Sequence, residues 1–172
     1  MVFVDGENFA IRYKEVLGEK VKSSHVNYLP DIFLWSSILD KVCHNYFKVI
    51  RKYYYTSVKG DQDKIDEIED LIKSNNIDAP RVFKKSRNGK TKRVDISLST
   101  DMLFHATKKN YDVALLIAGD EDYVPLIEAV QSEGCRVFVW FFSNGLSRSL
   151  RVKCDKFIDI TKFMLGDDFL LV

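Results

Sequence analysis

Two runs, Val113-Ala114-Leu115-Leu116-Ile117-Ala118 and Val137-Phe138-Val139-Trp140-Phe141-Phe142, are apolar at every position. Strands of this kind must be covered on both faces, which is the situation of a parallel sheet packed between helices. The stretch between them, Tyr123 to Glu133, has helical period and is closed by Gly134, so together they read as a β-α-β unit. These two strands are expected near the centre of a sheet.

The same alternation runs through the chain. Six strands are expected: Val2 to Asp5, Val49 to Val58, Arg81 to Lys84, Val113 to Ala118, Val137 to Phe142 and a short Phe157 to Ile160. The run Lys48 to Ser57 alternates more and is expected nearer an edge. Its Tyr53, Tyr54 and Tyr55 suit core or cross-strand positions better than base stacking. Leu29-Pro30-Asp31 reads as the opening of a long helix, because proline is tolerated in a first turn and Ile32, Trp35, Ile38, Leu39 and Val42 follow on one face. Further helices are expected from Gly60-Asp61 to Asn75-Asn76 and from Val94-Asp95 to about Lys108. With 172 residues, 46% of them hydrophobic, the chain suits one domain. That domain is expected over 1–165, followed by a short tail, 166–172, whose apolar end Phe169 to Val172 packs on the core or meets a partner.

The formal net charge of +1 (26 basic, 25 acidic residues) excludes a global field that would announce nucleic acid or membrane, so any attraction must be local. Cys43, Cys135 and Cys154 form no CxxC pair and no zinc spacing; buried thiols in a reducing cytosol are expected. No apolar run approaches the ~20 residues of a membrane span, and because Met1 leads straight into the first strand no leader is expected. A soluble, cytoplasmic protein is the expectation.

Function is expected at the carboxyl ends of the strands, where open parallel α/β sheets gather ligands. The first strand ends in Asp5-Gly6-Glu7-Asn8 and the fourth in Gly119-Asp120-Glu121-Asp122. Taken alone, Asp5 and Asn8 are as well explained as caps of a strand-to-helix turn. Three carboxylates at the start of one helix exceed what capping needs, since one suffices. Asp95, at the start of the helix after the third strand, lies on the same edge. Asp101, six residues further along, can share the pocket only if the helix start is irregular; with His105 at i+4 it equally fits a hydrogen-bonded helix face. Carboxylates gathered in one crevice need a proton at raised pKa or a divalent cation, and the set suits Mg²⁺ or Mn²⁺. Such ions activate water and neutralise phosphoryl charge, so no side-chain nucleophile is required. The chain indeed has no GxSxG elbow, no GxxxxGK[ST] loop and no GxGxxG turn.

The segment Lys84 to Arg93 contains six basic residues and no acid, just before Asp95. Its Lys85, Arg87, Lys90, Lys92 and Arg93 can hold a polyphosphate backbone beside the acids. Arg148, Arg151, Lys153 and Lys156 follow the turn after the fifth strand and can complete a groove; solvated surface charge explains both groups too.

The blocks VFVDGENF, KRVDISLSTDMLFHA, YDVALLIAGDEDYVPLIEAV and CDKFIDIT resemble, in order and spacing, a NYN domain of the PIN-like nuclease superfamily in its bacterial LabA-like branch. The resemblance implies an α/β, three-layer Rossmann-like fold with a central, mainly parallel sheet of five to six strands. It also implies a ribonuclease centre dependent on Mg²⁺ or Mn²⁺ that acts on RNA, single-stranded in preference. By the same resemblance Asp5, Asp95, Asp120 and Asp122 match acidic metal-binding positions, and Asn8 the polar residue after the first of them. Asp101 matches the second aspartate of the third-helix motif, and Ser143 a polar position after the fifth strand. Glu121 departs from the pattern, standing where a small residue is usual. The competing expectation is a non-catalytic module that binds RNA or protein and keeps a vestigial pocket. Haloacid-dehalogenase-type chemistry fits poorly, because it wants an aspartate at the position of Glu7. A homodimer is a further expectation, through Phe141-Phe142 or the tail, although both also suit a core.

Overall fold

The structure is a computed structural model that describes residues 1–85 and 92–166. Its centre is a six-stranded parallel sheet. The strands are β1 (Val2–Asp5), β4 (Lys52–Val58), β5 (Ala79–Lys84), β6 (Val113–Ile117), β7 (Arg136–Phe141) and β8 (Lys156–Asp159). Counted along the chain, the strands of this sheet lie in the order 3-2-1-4-5-6, that of a doubly wound dinucleotide-binding fold. Chain direction across the sheet reverses between β1 and β6, so a crevice opens beyond their carboxyl ends.

Helices α1 (Gly6–Leu17), α2 (Ser37–Tyr46), α3 (Gln62–Ser74), α4 (Lys92–Thr107), α5 (Val124–Ser132), α6 (Arg148–Lys153) and α7 (Thr161–Leu165) flank the sheet, with a 3-10 turn at Glu121–Tyr123. On the α1 side, Phe9 and Tyr13 pack on Phe142 with ring centroids 5.6 and 6.2 Å apart. On the α4 side, Phe3 stacks on Tyr53 at 5.4 Å, and Leu98, Met102 and Ala106 are fully buried. Each large side chain so buried contributes about 1.5–3 kcal/mol. Phe141 and Phe142 are both at 0% exposure, so they belong to the core and offer no dimer surface.

Two sequence expectations are corrected. The long helix opening at Pro30 is instead a hairpin, β2 (Val26–Leu29) paired antiparallel with β3 (Phe33–Ser36), and only then α2. The Ile32 N–H donates to Leu29 O at 3.2 Å and Asp31 has φ of 60°. Pro30 followed by a residue at positive φ is the pattern of a type II turn, not of a helix start. The strand carrying the three tyrosines does lie nearer an edge: β4 is one in from the edge strand β5, and it is nevertheless buried along its length. Its central tyrosine, Tyr54, accepts from Leu34 N at 2.9 Å and thereby fixes the hairpin over the sheet. The cysteines are free, but only Cys43 and Cys135 are buried, with Cys154 half-exposed. The tail Phe169 to Val172 lies outside the described residues.

Candidate active site at the carboxyl edge

Asp5 ends β1 and caps α1, accepting from Asn8 N at 3.0 Å. It is only 4% exposed. Asn8 reaches across the switch point, its side-chain oxygen accepting from Gly119 N at 3.0 Å. The ends of β1 and β6 are thus tied by one amide. Glycine is needed at both ends because the backbones meet neighbours closely. A Cβ on Gly6 would lie 2.2 Å from the Tyr54 ring, and one on Gly119 would lie 2.2 Å from the Phe141 ring.

Beyond Gly119, Asp120 caps the 3-10 turn by accepting from Asp122 N at 3.3 Å. The turn delivers Tyr123, buried to 2% exposure, whose hydroxyl donates to Asp5 Oδ2 at 2.7 Å and lies 3.2 Å from Asp95 Oδ1. Asp95 comes from the first turn of α4. One hydroxyl proton cannot satisfy two ionised carboxylates equally, so this oxygen triad calls for a further proton or a cation.

Electrostatics agree. Burial pushes the Asp5 carboxyl up to about 7, against bonds from Asn8 and Tyr123 that pull it down, while Asp95 and Glu7 add repulsion. Asp95 is raised as well, first by partial desolvation and then by Asp120, Glu7 and Asp122. Burial and the charges of Asp5 and Asp95 drive the Tyr123 hydroxyl well above its ordinary range. Five acids therefore act on one crevice, and the pairing among described residues is the ion pair of Glu7 with Lys85.

Of the residues expected at the site, Asp5, Asn8, Asp95, Asp120 and Asp122 come together at this edge. Asp101 has another partner: it accepts from the Tyr55 hydroxyl at 2.8 Å and faces Arg81 Nε at 3.7 Å. Ser143 donates to Asp159 Oδ2 at 2.6 Å. Arg93 and Arg148 are exposed at the starts of α4 and α6, and Ser147 N, donating to Gly119 O at 3.0 Å, brings α6 to the crevice. Lys92 opens α4. Arg87 and Lys90 lie outside the described residues. Sequence reading missed the Tyr123 hydroxyl and Glu7. The signal for Tyr123 was its place one residue after Asp122, on the turn that carries the acids.

The donor set is all oxygen and anionic, as a hard divalent cation requires. Among the described residues, no group of three or more His, Cys, Asp or Glu side chains is arranged to hold a metal ion as it stands. The donors therefore suit an ion held by one or two carboxylates that keeps several waters, the usual mode for Mg²⁺.

A Rossmann-ordered parallel sheet is the architecture of the PIN-like folds, among which the NYN domain falls. The chain belongs to the NYN domain family, whose model matches residues 1–161. It is similar in fold to the crystal structure of a protein of unknown function from Vibrio parahaemolyticus. There the TM-score is 0.70 at 19% identity, covering 95% of this chain and 93% of that one. No curated protein matches the sequence. Among the described residues no helix is long and apolar enough to cross a membrane.

Proposed function

We propose that the protein is a divalent-metal-dependent endoribonuclease centred on Asp5, Asp95, Asp120 and Asp122. The observation that carries this reading is the excess of carboxylates at the β1/β6 switch point, with Asp5 pushed up to about 7 in a buried position. Mg²⁺ or Mn²⁺ bound there would supply an activated water and neutralise charge on the scissile phosphate. Asp5 and Asp95 would hold the ion, with Asp120 and Asp122 joining from the 3-10 turn. Asn8 keeps the two strand ends in register through Gly119. Tyr123, itself buried, orients both Asp5 and Asp95 through its hydroxyl. Lys85, Arg93 and Arg148, with Arg87, Lys90 and Lys92 of the same basic segment and Ser143 beyond β7, would bind the RNA backbone.

Cleavage of end-labelled single-stranded RNA with Mn²⁺, Mg²⁺ or EDTA, in the wild type and in Asp5→Asn and Asp120→Asn, tests the reading. Cleavage should require metal and disappear in both variants, and full activity in Asp120→Asn would sink this assignment. One observation favours a second reading, a binding module without turnover: the acids do not converge into a ready cage. Under that reading RNA is bound but never cut.

A further inference from the structure

A cleft of about 340 Å³ opens at the same edge of the sheet, beyond the end of β4. Its apolar wall is Pro30, Ile32 and Val58, and its charged lining is Lys59, Lys64 and Lys85 against a single acid, Asp31. Regular elements of the fold build it. The hairpin turn is clamped to the sheet by Thr56 Oγ1, which donates to Ile32 O at 2.6 Å. Lys85 N donates to Val58 O at 2.8 Å, continuing β5 alongside β4. Lys64 stands in the first turn of α3, its N–H donating to the cap Asp61 Oδ1 at 3.2 Å. Its ammonium meets Glu67 Oε2 at 2.7 Å, an exposed pair that a stronger anion can displace. Lys59 is exposed and makes no ion pair among the described residues.

The cleft adjoins the acidic centre through one residue. Lys85 lines the cleft and pairs with Glu7, whose charge acts on Asp5 and Asp95. A polyanion approaching those acids is repelled unless cations flank them, and here cations lie on the β4 side. The volume suits a small ligand of nucleotide scale. An apolar wall facing lysines matches a base or sugar on one side and phosphates on the other. Asp31 offers an acceptor suited to a ribose 2′-hydroxyl, the group that separates RNA from DNA.

We propose that this cleft is a nucleotide subsite for single-stranded RNA. Backbone phosphates lie on Lys59 and Lys64, and the nucleoside rests against Pro30, Ile32 and Val58. The subsite guides the strand past Lys85 to the acids, and in that respect it rests on the nuclease reading.

The test is binding of a fluorescent single-stranded oligoribonucleotide to the full chain in EDTA across a salt series. Wild type, a Lys59→Ala/Lys64→Ala variant and a Lys59→Arg/Lys64→Arg variant are compared, with circular dichroism as the check on folding and Mn²⁺-dependent cleavage assayed in parallel. The alanine variant should bind about tenfold more weakly, with the slope of log K against log salt reduced by about 0.7 for each phosphate no longer neutralised, while the arginine variant keeps the wild-type affinity and slope. Weakened binding in a protein that never cuts RNA would uphold the subsite and overturn the catalytic reading. Unchanged affinity and slope in a folded alanine variant, with cleavage intact, would overturn the subsite alone. Absence of any RNA binding by the wild type would overturn the subsite as well.

Discussion

The two ends of the sheet bury charge in opposite ways. At the amino end Lys52, with a side chain 5% exposed, places Nζ 2.5 Å from Asp40 Oδ1, and its backbone N–H donates to Asp78 Oδ2 at 2.7 Å. There the cation faces its own acid, and the second acid satisfies a backbone donor. At the carboxyl end only Asp5 is buried, and the half-buried Glu7 and the exposed Asp95, Asp120 and Asp122 crowd around it with Lys85 as the pairing cation among described residues. Burying a charge without a partner is costly, and a fold under selection for stability alone would answer it internally. The Lys52 cluster is architecture, and the acid-rich end is where the molecule leaves charge to be met from outside.

The contrast can be broken at either end. The largest effect is expected in catalysis: Asp120→Asn should lower metal-dependent RNA cleavage by at least about a hundredfold while leaving the melting transition near its wild-type position, because Asn still caps the 3-10 turn. At the amino end the pattern inverts. Asp40→Ala leaves Lys52 buried and unpaired and should cost about 3–5 kcal/mol in a denaturant titration, with cleavage per folded molecule unchanged.

The carboxyl end also makes a pH prediction. Asp5 has a folded value of about 7, above its ordinary 3.8. Between those values the folded state binds more protons than the unfolded one. The protonated carboxyl's contribution is therefore complete below 3.8 and is lost as pH rises toward 7. At about 1.4 kcal/mol per pKa unit this amounts to ~4 kcal/mol, so metal-free Asp5→Asn should be more stable than wild type at mildly alkaline pH and lose the advantage in acid. Identical pH profiles for the two proteins would show that Asp5 is not shifted. A smaller change is expected from Tyr123→Phe, which removes the hydroxyl between Asp5 and Asp95 and should cost about 1–2 kcal/mol in thermal unfolding.

Legibility from the sequence followed the strength of the local signal. The strands at Val2–Asp5 and Val113–Ile117 were readable because both faces are covered, and their terminal acids follow directly in the chain. The helix expected to open at Leu29 starts only at Ser37, because Ile32 and Trp35 continue the helical period of Ile38, Leu39 and Val42, while Phe33-Leu34-Trp35-Ser36 is a strand buried at every position. Burial by the hairpin's neighbours is tertiary information. Pro30-Asp31 was the available local cue to the turn. The acids of the site were legible as strand-end and helix-start residues, but Tyr123 acts through where the 3-10 turn aims its hydroxyl, which no spacing rule specifies. Asp101 shows the reverse: its motif position pointed to the crevice, yet Tyr55 and Arg81 occupy it.

The most direct measurement is calorimetric titration of Mn²⁺ into the metal-free protein near neutral pH, in two buffers of different protonation enthalpy, for wild type and Asp5→Asn. The account predicts saturable binding by the wild type with release of protons, because Asp5 is only partly ionised there, and loss of both signals in the variant. Indistinguishable isotherms for the two proteins would contradict it, because the buried acid at the switch point would then have no part in meeting the cation.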